Sequence, residues 1–177
     1  MRAPGAVGWL GTTAGVTDDG RFVAIARFDS AENAARNSSR PEQDAWWRRT
    51  ASIFDGEPTF SDSRNVMVDV SGDPDRAGFV QVMRGQGSDP ERARQLMSED
   101  STDWQAFRPE IIGSVAVEHD GGAYTMAMYF TSEAEARAGE QKEPPPELQR
   151  QMEEMNALQV GVPEFIDLRE PWLYSAD

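Results

Sequence analysis

Hydrophobic positions in this chain follow strand period, then helix period, and the same succession runs twice. Residues 9–16 and 111–118 read as strands, each leading into a turn, Asp18-Asp19-Gly20 in the first case and Asp120-Gly121-Gly122 in the second. Such Asp/Gly turns between two strand-like runs predict β-hairpins. The second strand of each hairpin is apolar on both parities. Phe22, Ala24, Ala26 and Phe28 oppose Val23 and Ile25; Tyr124, Met126, Met128 and Phe130 oppose Ala127 and Tyr129. A strand apolar on both faces is covered on both, which predicts helices on one side and a second sheet on the other.

Ser30 and Ser132 stand where helix N-caps belong, and Ser132-x-x-Glu135 spells a capping box. A short helix is predicted after each serine. A loop with Arg40-Pro41, or with Pro144-Pro145-Pro146, then leads to a longer helix. On the first long helix Trp47, Thr50 and Phe54 share a face; on the second, Leu148, Met152 and Met155 do. Gly56 and Gly161 are the expected helix stops, each followed by a strand, and Val66, Val68 and Val70 alternate to make the first of these long. Phe79-Val80-Gln81-Val82-Met83 reads as a further strand. Ser88-Asp89-Pro90-Glu91 opens a helix carrying Ala93, Leu96, Met97 and Trp104, interrupted near Ser101 and Thr102.

The succession is an internal duplication. Gly56-x-Pro58-x-Phe60-x-Asp62-x-Arg64 recurs as Gly161-x-Pro163-x-Phe165-x-Asp167-x-Arg169, 105 residues on. Upstream, the hairpins match at a spacing of 102, pairing Gly11-Thr12 with Gly113-Ser114. The second copy is a complete β-α-β-β-α-β unit, the ferredoxin-like order. The expected fold is therefore α+β, with two tandem ferredoxin-like repeats whose antiparallel sheets pack into an intramolecular α/β barrel. The first repeat lacks its initial strand and helix, whose counterparts would precede residue 1: either the sequence starts late, or the unit is truncated, and in the second case an edge strand is left exposed for another chain to cover. Residues 1–70 form the incomplete repeat, 71–76 the linker and 77–173 the complete repeat.

Composition narrows the partners. Lys and Arg total 17 against 31 Asp and Glu, a net charge of −14 that repels nucleic acid and anionic membranes. Hydrophobic content is only 38%, yet five Trp and eight Phe supply large buried areas, enough for a core over 177 residues. No Cys is present, which removes disulfide and thiolate chemistry. No apolar run approaches the roughly 20 residues of a membrane span or the pattern of a secretory leader. The expectation is a soluble, cytoplasmic protein, monomer or homodimer.

Candidate chemistry is sparse. Arg84 follows a strand and suits a ligand anion; Gly85-Gln86-Gly87 beside it is too short a signal for a phosphate loop. Trp46 and Trp104 are candidates for the wall of an aromatic pocket, whereas Trp47, at helical spacing from Phe54, is core. Tyr124, Met126 and Tyr129 make the second hairpin roomier than the alanine-rich first, where close-packed helices are expected. They complete the candidate ligand site. His119, the single histidine, falls beside a turn and is expected to be exposed. Asp62 with Arg64 and Asp167 with Arg169 are expected structural bridges. No metal site or cofactor is predicted.

The element order, the duplication and the doubly apolar strands resemble the dimeric α/β-barrel superfamily, which holds the antibiotic-biosynthesis-monooxygenase-like domains. The runs Gly8-Trp9-Leu10-Gly11-Thr12-Thr13, Arg40-Pro41-Glu42-Gln43 and Arg169-Glu170-Pro171-Trp172-Leu173 are similar to two-repeat actinobacterial members. The resemblance implies a cleft between sheet and helices, and three functions stay open. The first is small-molecule binding, with a small aromatic ligand. The second is cofactor-independent monooxygenation of an aromatic substrate positioned by Trp104, Tyr124 and Arg84. The third is a structural or oligomerisation module without a ligand. Haem-degrading relatives use a histidine, and a turn-borne His119 speaks against that activity.

Overall fold

Two serines and two glycines set the local geometry at matching places. The computed structural model describes residues 5–69, 71–98 and 104–176. Gly20 and Gly122 both adopt φ +85, the left-handed turn that glycine tolerates without a Cβ clash. Ser30 and Ser132 cap helices, their hydroxyls accepting the N–H of Asn33 and Glu135. The Glu135 carboxylate accepts the hydroxyl of Ser132 at 2.8 Å and that of Thr131, so the box closes on side chains.

In chain order the elements are β1 (Trp9–Val16), β2 (Phe22–Phe28), α1 (Ala31–Ser38), α2 (Pro41–Ala51), β3 (Asn65–Asp69), β4 (Phe79–Gly87), α3 (Pro90–Met97), α4 (Trp104–Phe107), β5 (Ile111–Glu118), β6 (Ala123–Phe130), α5 (Glu133–Glu140), α6 (Pro146–Leu158), β7 (Gln159–Leu168) and β8 (Trp172–Ser175). Short 3-10 turns sit at Pro74–Arg76 and Asp120–Gly122. The strands form two antiparallel sheets, β2-β1-β8 and β3-β5-β6-β4-β7. The β5-β6-β4-β7 part, with its helices, has the ferredoxin-like order.

The sheets exchange strands. β8 leaves the second half to pair with β1, with Leu173 opposite Thr13 and Trp172 opposite Ala14. β3 leaves the first half to pair with β5, with Val68 opposite Val115 and Met67 opposite Ala116. Both hairpins also shift register at matching positions, between Trp9 and Gly11 and between Ile111 and Gly113. The spacings of 102 and 105 seen in the sequence relate every one of these pairs.

The core lies between the sheets. Val80, Val82, Val115, Ala127, Ile166 and Leu168 are buried there, with Val23, Ile25 and Leu173 packed against them from the other sheet. Each such aliphatic side chain contributes about 1.5–3 kcal/mol when fully buried. Gly15 permits the approach, since a Cβ there would lie 3.2 Å from Leu168 Cδ2. A second cluster of Phe79, Phe130 and Ala136 fills the space between the five-stranded sheet and α5, the two rings 5.7 Å apart. Arg137 stacks 5.2 Å over Phe79 and pairs with Asp167. Arg169 bridges Glu133 at 2.8 Å and also meets Asp18, so the Asp167–Arg169 bridge is structural as expected.

Several expectations fail, mostly in the first half. Helices α1 and α2 bury no residue, and Ala24 and Ala26 are exposed, so the close-packed helices predicted over β2 are not there. Gly56 does not stop a helix, because α2 ends at Ala51. Residues 56–64 form no strand, and Asp62 and Arg64 are exposed rather than bridged into a sheet. The same frame lies in β7 from 161 to 168 because β4 hydrogen-bonds to it, and 56–64 has no such neighbour among the described residues. Gly161 is likewise not a helix stop: α6 runs directly into β7, and Gly161 takes φ +72 where the β4–β7 register shifts. On α6, Leu148 and Gln151 are buried while Met152 is exposed. Phe54 lies beyond α2, though its ring sits 6.1 Å from that of Trp47. Val70, Ser101 and Thr102 fall outside the described residues.

Where β5 begins, Arg108 and Glu110 form an ion pair with side chains 12% and 6% exposed, backed by Lys142 at 3.7 Å. A Cβ on Gly139 of α5 would run into both groups. Gly139→Ala is expected to lose about 1–3 kcal/mol in chemical denaturation through overpacking. Burial alone would raise the Glu110 carboxyl. The Arg108 hydrogen bond, the Glu110 backbone N–H and the charges of Arg108 and Lys142 outweigh it and hold the group below 4.5. A carboxyl depressed in the folded state stabilises above its unfolded value, and that contribution is lost as pH falls through the folded one. Wild type should therefore lose more stability than Glu110→Gln between about pH 6 and about pH 3 in thermal melts. Parallel losses would show that Glu110 is not a source of acid sensitivity.

Candidate functional site

Strand register brings together residues that are remote in sequence. Arg84 lies opposite Thr125 of β6 on one side and Glu164 of β7 on the other. Residues opposite one another in a sheet share a face. Their side chains line an open groove of about 300 Å³ at the end of the five-stranded sheet, together with His119 and Val162 and the chain at Gly85, Ala123 and Tyr124.

Glu164 is the acceptor of this groove. Its carboxylate stands 3.9 Å from Arg84 Nη1 and pairs more closely with Arg21, which comes from the β1–β2 turn of the other sheet. The Glu164 hydrogen bond, against a smaller opposing effect of burial, raises the Arg21 guanidinium above its ordinary value. His119 follows β5, where its N–H closes the hairpin on the Ala123 carbonyl at 2.7 Å. Its ring nitrogens are each 3.0 Å from a hydroxyl, Nδ1 from Ser61 and Nε2 from Thr125. The histidine is thus half-buried and lines the groove, not the freely exposed turn residue expected. Tyr124 occupies the space that a Cβ on Gly85 would need, 2.5 Å from the phenol oxygen. Its hydroxyl donates to Gln159 Oε1 at 2.6 Å, and burial raises the phenol above its ordinary value. The groove thus offers guanidinium, hydroxyl and imidazole around a single carboxylate. That set suits hydrogen bonding to a small oxygen-bearing molecule.

Of the six candidate residues, Arg84 and Tyr124 meet here. Met126 lies on the helix side of β6, opposite Met83, half-buried. Trp104 is 36% exposed on α4, its Nε1 donating to Gln151 Oε1 of α6 at 2.8 Å. Tyr129 faces the other way, into the core between the sheets, where its hydroxyl and that of Thr13 are 2.5 Å apart. Burial raises the Tyr129 phenol, against the lowering effect of that hydrogen bond. Trp46 is 40% exposed on α2, its ring 6.0 Å from that of Trp47. Tyr129 shares the face of Thr125 and Arg84 but sits further along the strand, inside the core, whereas Tyr124 borders the groove from the opposite face.

No group of three His, Asp or Glu able to hold a metal occurs among the described residues. No helix among them is long and apolar enough to cross a membrane.

Three solved structures share this architecture. A "putative monooxygenase" from Lactobacillus acidophilus NCFM superposes with a TM-score of 0.72 at 12% identity, covering 97% of this chain and 81% of its own. One from Fusobacterium nucleatum gives 0.68 at 9%, covering 95% and 78%. An anthrone oxidase-like protein gives 0.56 at 13%, covering 94% and 79%. The likeness is one of fold. No family model and no curated protein matches the chain.

Sequence reasoning missed Glu164, Thr125 and the engagement of His119. Glu164 sits at an unmatched position of the duplicated frame, and its neighbour Arg84 lies 80 residues upstream, so only the β4–β7 register connects them. Thr125 could have been found from its alternation with Tyr124. Because both ring nitrogens of His119 are engaged, diethyl pyrocarbonate should modify it slowly. The double variant Ser61→Ala/Thr125→Ala should react several-fold faster, followed by absorbance, and equal rates would show that the two hydroxyls do not shield the ring.

Proposed function

We propose that this protein binds a small aromatic molecule bearing hydroxyl or carbonyl oxygens, in the groove between Arg84, Thr125, His119 and Glu164. The convergence of these four side chains from three strands and a turn carries the reading. Arg84 is the principal donor, because it projects into the groove at a longer distance from Glu164 than Arg21 does. Val162 supplies apolar surface for a ring.

The scaffold of this reading is a chain that acts as its own dimer, of the dimeric α/β-barrel, antibiotic-biosynthesis-monooxygenase-like kind. One ferredoxin-like unit spans 1–70, a linker spans 71–76, and a second unit, with the full β-α-β-β-α-β order, spans 77–173. The reciprocal strand exchange, the matched hairpin shifts and the paired glycine turns support it.

A second reading draws on the three structural neighbours. It is cofactor-independent monooxygenation of an electron-rich aromatic, with Arg84 and Tyr124 positioning the substrate beside His119. Shared fold alone does not carry activity across, so the two readings need separate tests.

Titration with a panel of hydroxylated aromatic carboxylates, followed through the His119 ring resonances, tests the first. Saturable shifts are expected, and Arg84→Ala should weaken binding about tenfold, or about 1.4 kcal/mol. Shifts confined to other regions, or none, would leave the module without a ligand site here. Oxygen uptake with anthrone tests the second: consumption no faster than with heat-denatured protein removes oxygenation and leaves binding intact.

A further inference from the structure

Strand β2 bonds to β1 on one side, and among the described residues no strand lies on its other side. The hairpin is closed by the Thr17 N–H on the Arg21 carbonyl at 2.9 Å. Antiparallel alternation from that point directs the N–H and C=O of Phe22, Ala24, Ala26 and Phe28 to the open side. In the other hairpin His119 and Ala123 close the turn in the same way, and the matching residues of β6 bond to β4. Phe130 faces Phe79, Met128 faces Gln81 and Met126 faces Met83.

We infer that the open edge of β2 is an acceptor for one extended polypeptide segment with the chemistry of β4, laid antiparallel to it. Side-chain burial supports this independently of the hydrogen bonds. Ala127, beside β4, is 0% exposed, while its counterpart Ile25 is only half-buried against the same core. Residues 22–26 carry neither charge nor proline, and Arg27 is the one charged residue of β2, so most of this edge lacks the devices that blunt a permanently free one. The segment 56–64 repeats the frame by which β7 binds the far edge of β4, yet it is in no sheet and Phe60 is 72% exposed. An inserted strand would have partners on both sides. Two copies joined through their β2 edges would leave 56–64 unpaired, so the occupant is a separate strand with uncharged side chains at alternate positions for the intersheet core.

The inference rests on the two-unit reading and is independent of any ligand in the groove. The test is a fluorescent peptide of residues 77–88 titrated into the 177-residue protein, with amide exchange read by mass spectrometry. Saturable binding with slowed exchange in residues 22–28 is expected. The same peptide with Val80→Asp and Val82→Asp should bind at least about tenfold more weakly. No binding, or protection confined to β6 and β7, overturns the inference. So does a dimer in sedimentation whose residues 22–28 are already protected without peptide, because the edge would then be closed by a second copy.

Discussion

Burial of two sheet faces against each other is the constraint on which the rest of this structure depends. Val80, Val82, Ile166 and Leu168 would meet water without Val23, Ile25 and Leu173. The strand exchange reinforces the contact. β3 and β8 each leave the half that precedes them and finish the edge of the opposite sheet, so the backbone hydrogen bonds and the hydrophobic contact favour the same arrangement. Separating the sheets would expose the apolar faces and strip both edges at once.

The two halves differ in how well they are covered on their outer side. In the second, α5 and α6 bury Ala136, Gly139, Leu148 and Gln151, and Phe79 and Phe130 fill the space beneath. In the first, aromatic rings replace a helical layer. Phe22 lies 5.4 Å from Phe54 and 6.3 Å from Trp172, and Trp47 meets Phe60 edge-on at 4.9 Å. Such pairs add about 0.5–1.5 kcal/mol each beyond their burial. They partly shelter a sheet that has three strands among the described residues.

Much of the fold was legible because local signals and global pairing agree. The hairpin turns, the serine caps and both strands of each hairpin follow from spacing alone, and β1 and β5 span the expected residues. The failures share one cause. Residues 56–64 and 161–169 carry the same frame, but strand formation depends on a neighbour, and only 161–169 has β4 beside it. The alanines of β2 misled in the same way, since small residues fit a close helix and an open face equally well. At the site, chemistry was visible residue by residue while its assembly was not. Arg84 and Tyr124 could be nominated, but the proximity of Glu164 and His119 is written in register and turn geometry, which composition does not carry.

Glu164 belongs to one sheet, and the arginine that holds it most closely, Arg21, hangs from the turn of the other. This salt bridge is a latch across the mouth of the sandwich as well as part of the groove wall. Were a ligand to bind there as proposed, its contacts with Arg84 or Glu164 would act on a charge pair that also ties one layer to the other.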